Sequence, residues 1–176
     1  KGNLRSLELL IDSKLNSYIP FFDEVDAVQN FSSYSFCQSL YILAKLNNIS
    51  FEKLRDLKLS NKEIKKIKEY ERINLEFIDN IPLELILYKY DKDDIHFVIG
   101  YFGYYDKKKI DIINLPISSF NDIAITSTEI ISIIDKSPGP WIKEVTKKLE
   151  EAILLNKIDN TEKNIVDFLK KIRDNM

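Results

Sequence analysis

Apolar residues recur at three- and four-residue steps along most of this chain, the spacing that lines one face of an α-helix. Leu4, Leu7, Leu10 and Ile11 set the first such stripe and predict a helix over 4–15. Tyr18-Ile19-Pro20-Phe21-Phe22 ends it, because proline cannot carry the helix on, and its three aromatic rings are expected in the core. Phe36, Leu40, Leu43 and Ala44 predict a second helix over 36–46, with Ser32 or Ser33 as its cap. Ser50 caps the next, led by Phe51, Leu54 and Leu57. Ser60 and Glu63 then stand in capping-box spacing, with Leu59 and Ile64 placed as a hydrophobic staple around them, so two signals agree on a helix start.

Residues 81–105 read two ways. IHFVIGYFGYY is rich in β-branched and aromatic side chains, which favour a strand. Leu85, Tyr88, Ile95, Val98, Ile99 and Phe102 nevertheless fit a helical stripe. A strand needs a partner and no other segment alternates convincingly, so helix is the expectation, supported in part by the family resemblance described below.

Residues 115–156 carry the densest local signals. Thr126 and Glu129 form a T-x-x-E capping box, with Ile125 and Ile130 in staple positions. That helix is expected to run through Ile134 and stop near Ser137-Pro138. Pro140 suits the first residue of the following helix, where its missing N–H costs nothing. Ile142, Val145, Leu149, Ala152 and Ile153 make its apolar stripe, and Lys143 and Lys147 share another face. The corner thus brings a helix N-terminus next to Lys136 and Lys143, an arrangement that favours a phosphate. The plainer reading is a simple chain reversal with solvated lysines. A last helix is expected from Asn160 or Thr161, packing Ile165, Phe168, Leu169 and Ile172 back on the helix that begins at Trp141, with Lys163, Lys170, Lys171 and Arg173 elsewhere on it.

Composition narrows the class. With 176 residues, 44% apolar and 31% charged, the chain is ordinary globular protein of one medium domain or two small ones. Scarce Gly and Pro among abundant Ile, Leu and Lys favour helices with short connections, hence an all-α fold. The net charge of −2 does not advertise nucleic acid, so any RNA site must be a local patch. Cys37 is the single cysteine, which excludes an intrachain disulfide and a cysteine-based zinc site and suits a cytoplasmic location. No apolar run approaches the roughly 20 residues of a membrane helix. The opening at Lys1, without an initiator Met, points to a piece of a longer protein.

Catalytic signals are weak. Asp91-Lys92-Asp93 spells D-x-D, which can hold magnesium, but no glycine-bearing turn precedes it to grip a triphosphate, and a solvated acidic turn is the better reading. His96 stands alone and is expected packed or on the surface. Cys37 falls inside a helix and reads as structural. No catalytic residue and no metal ligand is expected in this chain.

DIAIT, a helix, KSPGPWIKEV and a second helix running into LLNKIDNTEKNIVDFLKK resemble the tail of bacterial CCA-adding enzymes, the tRNA nucleotidyltransferases. The family pattern reads D-L-A-I-N-G, then P-G-P-W-I, then an N-E-K-like helix start. Asp122, Ala124, Ile125, Pro138, Gly139, Pro140, Trp141 and Ile142 match, and Thr126-Ser127 departs where Asn-Gly is usual. NLRSLELLIDSKLNSYIPFF and KLSNK resemble the helical body of the same family. The resemblance implies a helical body over 1–110 and a helical tail over 111–176. It implies a parent enzyme that adds CCA to tRNA 3′ ends from CTP and ATP with Mg, using an N-terminal catalytic head and a nucleotide-reading neck whose E-D-x-x-R motif is absent here. This piece, inactive alone and needing no cofactor, would hold the acceptor and T-arm of tRNA by shape and phosphate. The contacts expected are Lys136, Lys143 and Lys147 with amides near Gly139 and Trp141, the indole serving either as corner anchor or as stacking platform. The rivals are a stand-alone helical protein-interaction module and a complete small enzyme, which the missing motifs disfavour.

Overall fold

The computed structural model describes residues 9, 11–19, 21–25, 33–104 and 110–175. Contacts group the chain into two compact units, Lys1–Phe77 and Ile78–Met176.

Half of the helix expected over 4–15 lies outside the described residues; Leu9, Ile11 and Asp12 are helical, and the chain turns at Ser13 and Lys14. A 3-10 turn follows at Leu15–Tyr18 and another at Phe22–Glu24. The three aromatics expected in the core divide. Phe21 is fully buried and meets Phe22 edge-on at 5.5 Å, but Tyr18 is 83% exposed. Residues i and i+3 eclipse in a 3-10 turn, so Leu15 and Tyr18 share its outer face. Its inner side is held by Asn16, whose amide donates to the carbonyls of Phe22 at 3.1 Å and Val25 at 3.2 Å.

Helix α1 (Phe36–Leu46) starts at Ser35, not at Ser32 or Ser33. The decisive partner is Gln38: its side chain accepts from the Ser35 amide at 2.8 Å while Ser35 Oγ accepts from the Gln38 amide at 3.4 Å. Ser50 caps a 3-10 segment, Phe51–Leu57, which Lys58 ends in left-handed conformation. Helix α2 (Asn61–Ile78) opens on the expected box, with Ser60 N and Oγ at 2.8 and 2.6 Å from Glu63 Oε2.

In the second unit, residues 83–102 are helical, as two helices and not one. Helix α3 (Leu83–Lys89) and helix α4 (Lys92–Phe102) part at Tyr90-Asp91, where Asp91 caps α4. Ile95, Val98 and Ile99 are fully buried on one face of α4, so burial of the stripe overrides strand propensity. No strand occurs among the described residues, and the fold is all-α. Gly103, at φ +73, takes the left-handed position that ends α4. After a 3-10 turn at Phe120–Asp122 come helices α5 (Ser127–Ile134), α6 (Trp141–Leu154) and α7 (Glu162–Arg173), with α7 packed on both α5 and α6. Ile125, Ile130, Trp141, Val145, Leu149 and Ile165 belong to one buried cluster, with Phe168 and Ile172 packed against it. Among the described residues no helix is long and apolar enough to cross a membrane.

Candidate nucleic-acid interface

The Pro-Gly-Pro corner is fixed from both sides. α5 starts on the expected capping box, where Thr126 N lies 2.7 Å and Thr126 Oγ1 2.8 Å from Glu129 Oε2. It stops at Ile134 because Asp135 turns left-handed, its amide bonding back to Ile131 O at 3.0 Å. Pro140 takes helical angles, φ −56° and ψ −26°, immediately ahead of α6. Trp141 is only 8% exposed, and its Nε1–H donates to Ser137 O at 2.8 Å. The indole therefore anchors the corner from beneath and presents little face for stacking. Gly139 lies against it: a Cβ there would come 3.4 Å from the ring, at the near limit of ordinary van der Waals contact.

What the corner shows to solvent is mixed. Lys136, Ser137, Pro138 and Pro140 are exposed. The amides of Ile142 and Lys143 already bond to Gly139 O at 3.1 Å and Pro140 O at 3.2 Å, and proline has none. Gly139 and Trp141 keep amides without a backbone partner among the described residues. Lys143 is exposed, whereas Lys147 lies 3.7 Å from Glu151 on the same helix. Surface pairs of that kind contribute about 0–1 kcal/mol, so Lys147 is loosely held.

The DIAIT segment is tied down by side chains. Asp122 accepts from Ser118 N at 2.7 Å, Ser118 Oγ at 2.7 Å and Ser119 N at 2.9 Å, and these bonds, the Ser118 hydroxyl first, hold its carboxyl below the usual carboxylate range. Asn160 then clamps the segment from the α6–α7 connection, donating to Asp122 O at 2.7 Å and accepting from Ala124 N at 2.9 Å. In the sequence Asn160 reads only as a helix start. The available hint was its amide, which can donate to a carbonyl and accept from an N–H together. Thr126, at φ −90°, is a plain capped start, which needs no glycine turn. Tyr88 on α3 donates to Glu150 on α6 at 2.6 Å; burial, then that bond and charge, pushes its phenol well above the ordinary range.

The weaker candidates find structural places. Asp91 Oδ1 accepts from the Asp93 amide at 2.9 Å, so the D-x-D is a helix cap. His96 Nε2 lies 3.0 Å from Asp111 Oδ1, which Lys92 also approaches at 3.5 Å. Cys37 is half-buried, and burial pushes its thiol up, away from the thiolate a nucleophile needs.

The model of the tRNA nucleotidyltransferase domain 2 family matches residues 36–169. The chain belongs to that family. Its relatives include the CCA-adding enzymes of Staphylococcus haemolyticus, 30% identical over 182 residues (92% of this chain, 45% of the relative), and Listeria monocytogenes, 29% identical over 185 residues (96% and 47%). The chain thus spans about half the length of the curated relatives it matches. Its fold is that of a Bacillus stearothermophilus CCA-adding enzyme crystallised with CTP, at a TM-score of 0.73 and 18% identity, covering 98% of this chain and 48% of that one. The resemblance drawn from the tail and body motifs therefore holds for the family and for the helical architecture.

Proposed function

We propose that this chain is the tRNA-holding, C-terminal region of a cytoplasmic CCA-adding enzyme. Nucleotide addition from CTP and ATP would take place on an N-terminal head, with Mg bound there. The residues here do not suit that metal: Asp91 has one oxygen engaged in capping α4, and no group of three His, Cys, Asp or Glu gathers among the described residues. On this reading the chain by itself is expected to add no nucleotide. The observation that carries the reading is the exposed corner of a family tail, where Lys136 and Lys143 flank unengaged amides at Gly139 and Trp141. Backbone amides at a helix start with nearby ammoniums suit a phosphate of the acceptor or T-arm, since an A-form duplex is held through shape and backbone.

The test is binding of a tRNA transcript as a function of salt. The expected log–log slope is about −0.7 to −0.9 for each phosphate neutralised. Lys143→Glu with Lys147→Glu should weaken binding and flatten the slope. Unchanged binding would remove these lysines from the contact, and incorporation of CTP by the isolated chain would overturn the assignment of chemistry to another domain. Binding that ignores salt would favour the protein-interaction alternative.

A further inference from the structure

α2 opens on a run of lysines, and their partners differ. Lys68 is held by Glu52 at 3.0 Å, and Lys66 lies 3.6 Å from Glu69 and 5.8 Å over the Tyr70 ring. Lys62 and Lys65 are exposed, and no ion pair joins either to a described residue. Three apart on one helix, they are neighbours on its surface. Both line an open groove of about 590 Å³ that runs along α2 from Ser60 to Glu69 and includes Cys37 of α1. Neither acid in the lining is paired with them: Glu63 is turned to Ser60, accepting from its amide at 2.8 Å and its hydroxyl at 2.6 Å, and Glu69 lies 3.6 Å from Lys66. Cys37, also in the lining, stays a neutral thiol because burial and the charge of Glu63 raise it.

We propose that this groove receives a phosphate of the RNA backbone, giving the Lys1–Phe77 unit its own contact in addition to the corner in the other unit, an inference that rests on the tRNA-holding reading above. Lysines are point charges without the planar fork that reads a base edge, which suits a contact blind to sequence. The lining contains no aromatic ring on which a base could stack, so the backbone is the part of the RNA it fits. With a net charge of −2, a phosphate contact rests on a local patch such as this one and not on the overall charge.

Cys37 is the chain's single cysteine and reports on the groove directly. The experiment follows maleimide alkylation of Cys37 by mass spectrometry, with and without a tRNA transcript, while anisotropy measures binding of the same transcript in parallel. Bound tRNA should slow alkylation several-fold, and raising the salt should restore the free rate as binding falls. Lys62→Gln with Lys65→Gln, both exposed positions, should abolish the protection and flatten the salt slope by about 1 to 2. A transcript that binds yet leaves the thiol reacting at its free rate overturns the groove contact and leaves the corner reading standing. A transcript that does not bind at all overturns both.

Discussion

Tyr41 and Leu149 are both fully buried, one in each unit, and they are held by different means. Tyr41 stacks on Phe51 at 5.7 Å, meets Tyr70 edge-on at 5.6 Å, and donates its hydroxyl to Glu71 at 2.9 Å; Glu71 in turn takes Lys45 at 3.2 Å. Leu149 sits in a cluster of branched aliphatics with Ile130, Ile165 and Leu169, where the one indole lies to the side with its N–H satisfied by a local carbonyl. An aliphatic residue needs only to be on the right face, whereas a buried phenol also needs an acceptor within reach. The aliphatic core is therefore written in periodicity, and the aromatic one depends on a partner that periodicity does not name.

That contrast fixes the largest expected effect. Leu149→Ala removes atoms from a closed aliphatic cluster and should cost about 2–5 kcal/mol in denaturant unfolding. Tyr41→Phe keeps the ring and its stacking, and Glu71 retains Lys45, so the loss should be about 1 kcal/mol. Equal costs for the two variants would mean that the hydroxyl, more than the ring, holds the first unit together. A neutral Tyr41→Phe would mean that the acceptor is dispensable and the contrast false.

A smaller effect is expected where a single side chain ties distant backbone. Asn160→Ala removes two hydrogen bonds to Asp122 and Ala124 in an exposed setting, at about 1–2 kcal/mol. Asn160→Asp keeps an acceptor for the Ala124 amide but sets a carboxylate against the Asp122 carbonyl, and should cost at least as much. If both variants unfold like the parent, the clamp does not hold the DIAIT segment and the Ser118–Ser119–Asp122 bonds suffice.

Local windows carried most of what could be read from the chain. Thr126 with Glu129, Ile125 with Ile130, Pro140 ahead of α6 and the stripe from Val145 to Ile153 each fall within a few residues, and each is where the pattern put it. The exposed corner follows from the same chemistry, since a Pro-Gly-Pro turn offers the interior few bonded amides. Three features escaped. The aromatic cluster around Pro20 points Tyr18 to the core, but the 3-10 turn at Leu15–Tyr18 leaves it exposed, and nothing in the aromatic composition announces that turn. The ties Tyr41–Glu71, Tyr88–Glu150 and Ala124–Asn160 span 30, 62 and 36 residues, beyond any local pattern. The commitment of Lys66 and Lys68, which singles out Lys62 and Lys65, became visible only with side chains in place.

The finest distinction lies between two capping boxes closed by a glutamate, Ser60–Glu63 in one unit and Thr126–Glu129 in the other. Glu63 and Glu129 are both held below the usual carboxylate range, but by different leading bonds: the Ser60 hydroxyl is first for Glu63, and the Thr126 amide is first for Glu129. The distances run the same way, 2.6 Å to hydroxyl against 2.8 Å to amide at Ser60, and 2.8 Å against 2.7 Å at Thr126. Alanine removes the hydroxyl and leaves the amide. Ser60→Ala should therefore let Glu63 rise further toward its ordinary value than Thr126→Ala lets Glu129 rise, although each loses a cap of about 1 kcal/mol. Because both folded values are depressed, the stabilisation they confer is complete above the unfolded carboxylate range and disappears as pH falls through the folded value. The acid limb of the stability curve should accordingly soften more in Ser60→Ala than in Thr126→Ala. Side-chain carboxyl titration by NMR separates the two, and equal shifts would show that the amide governs both boxes alike.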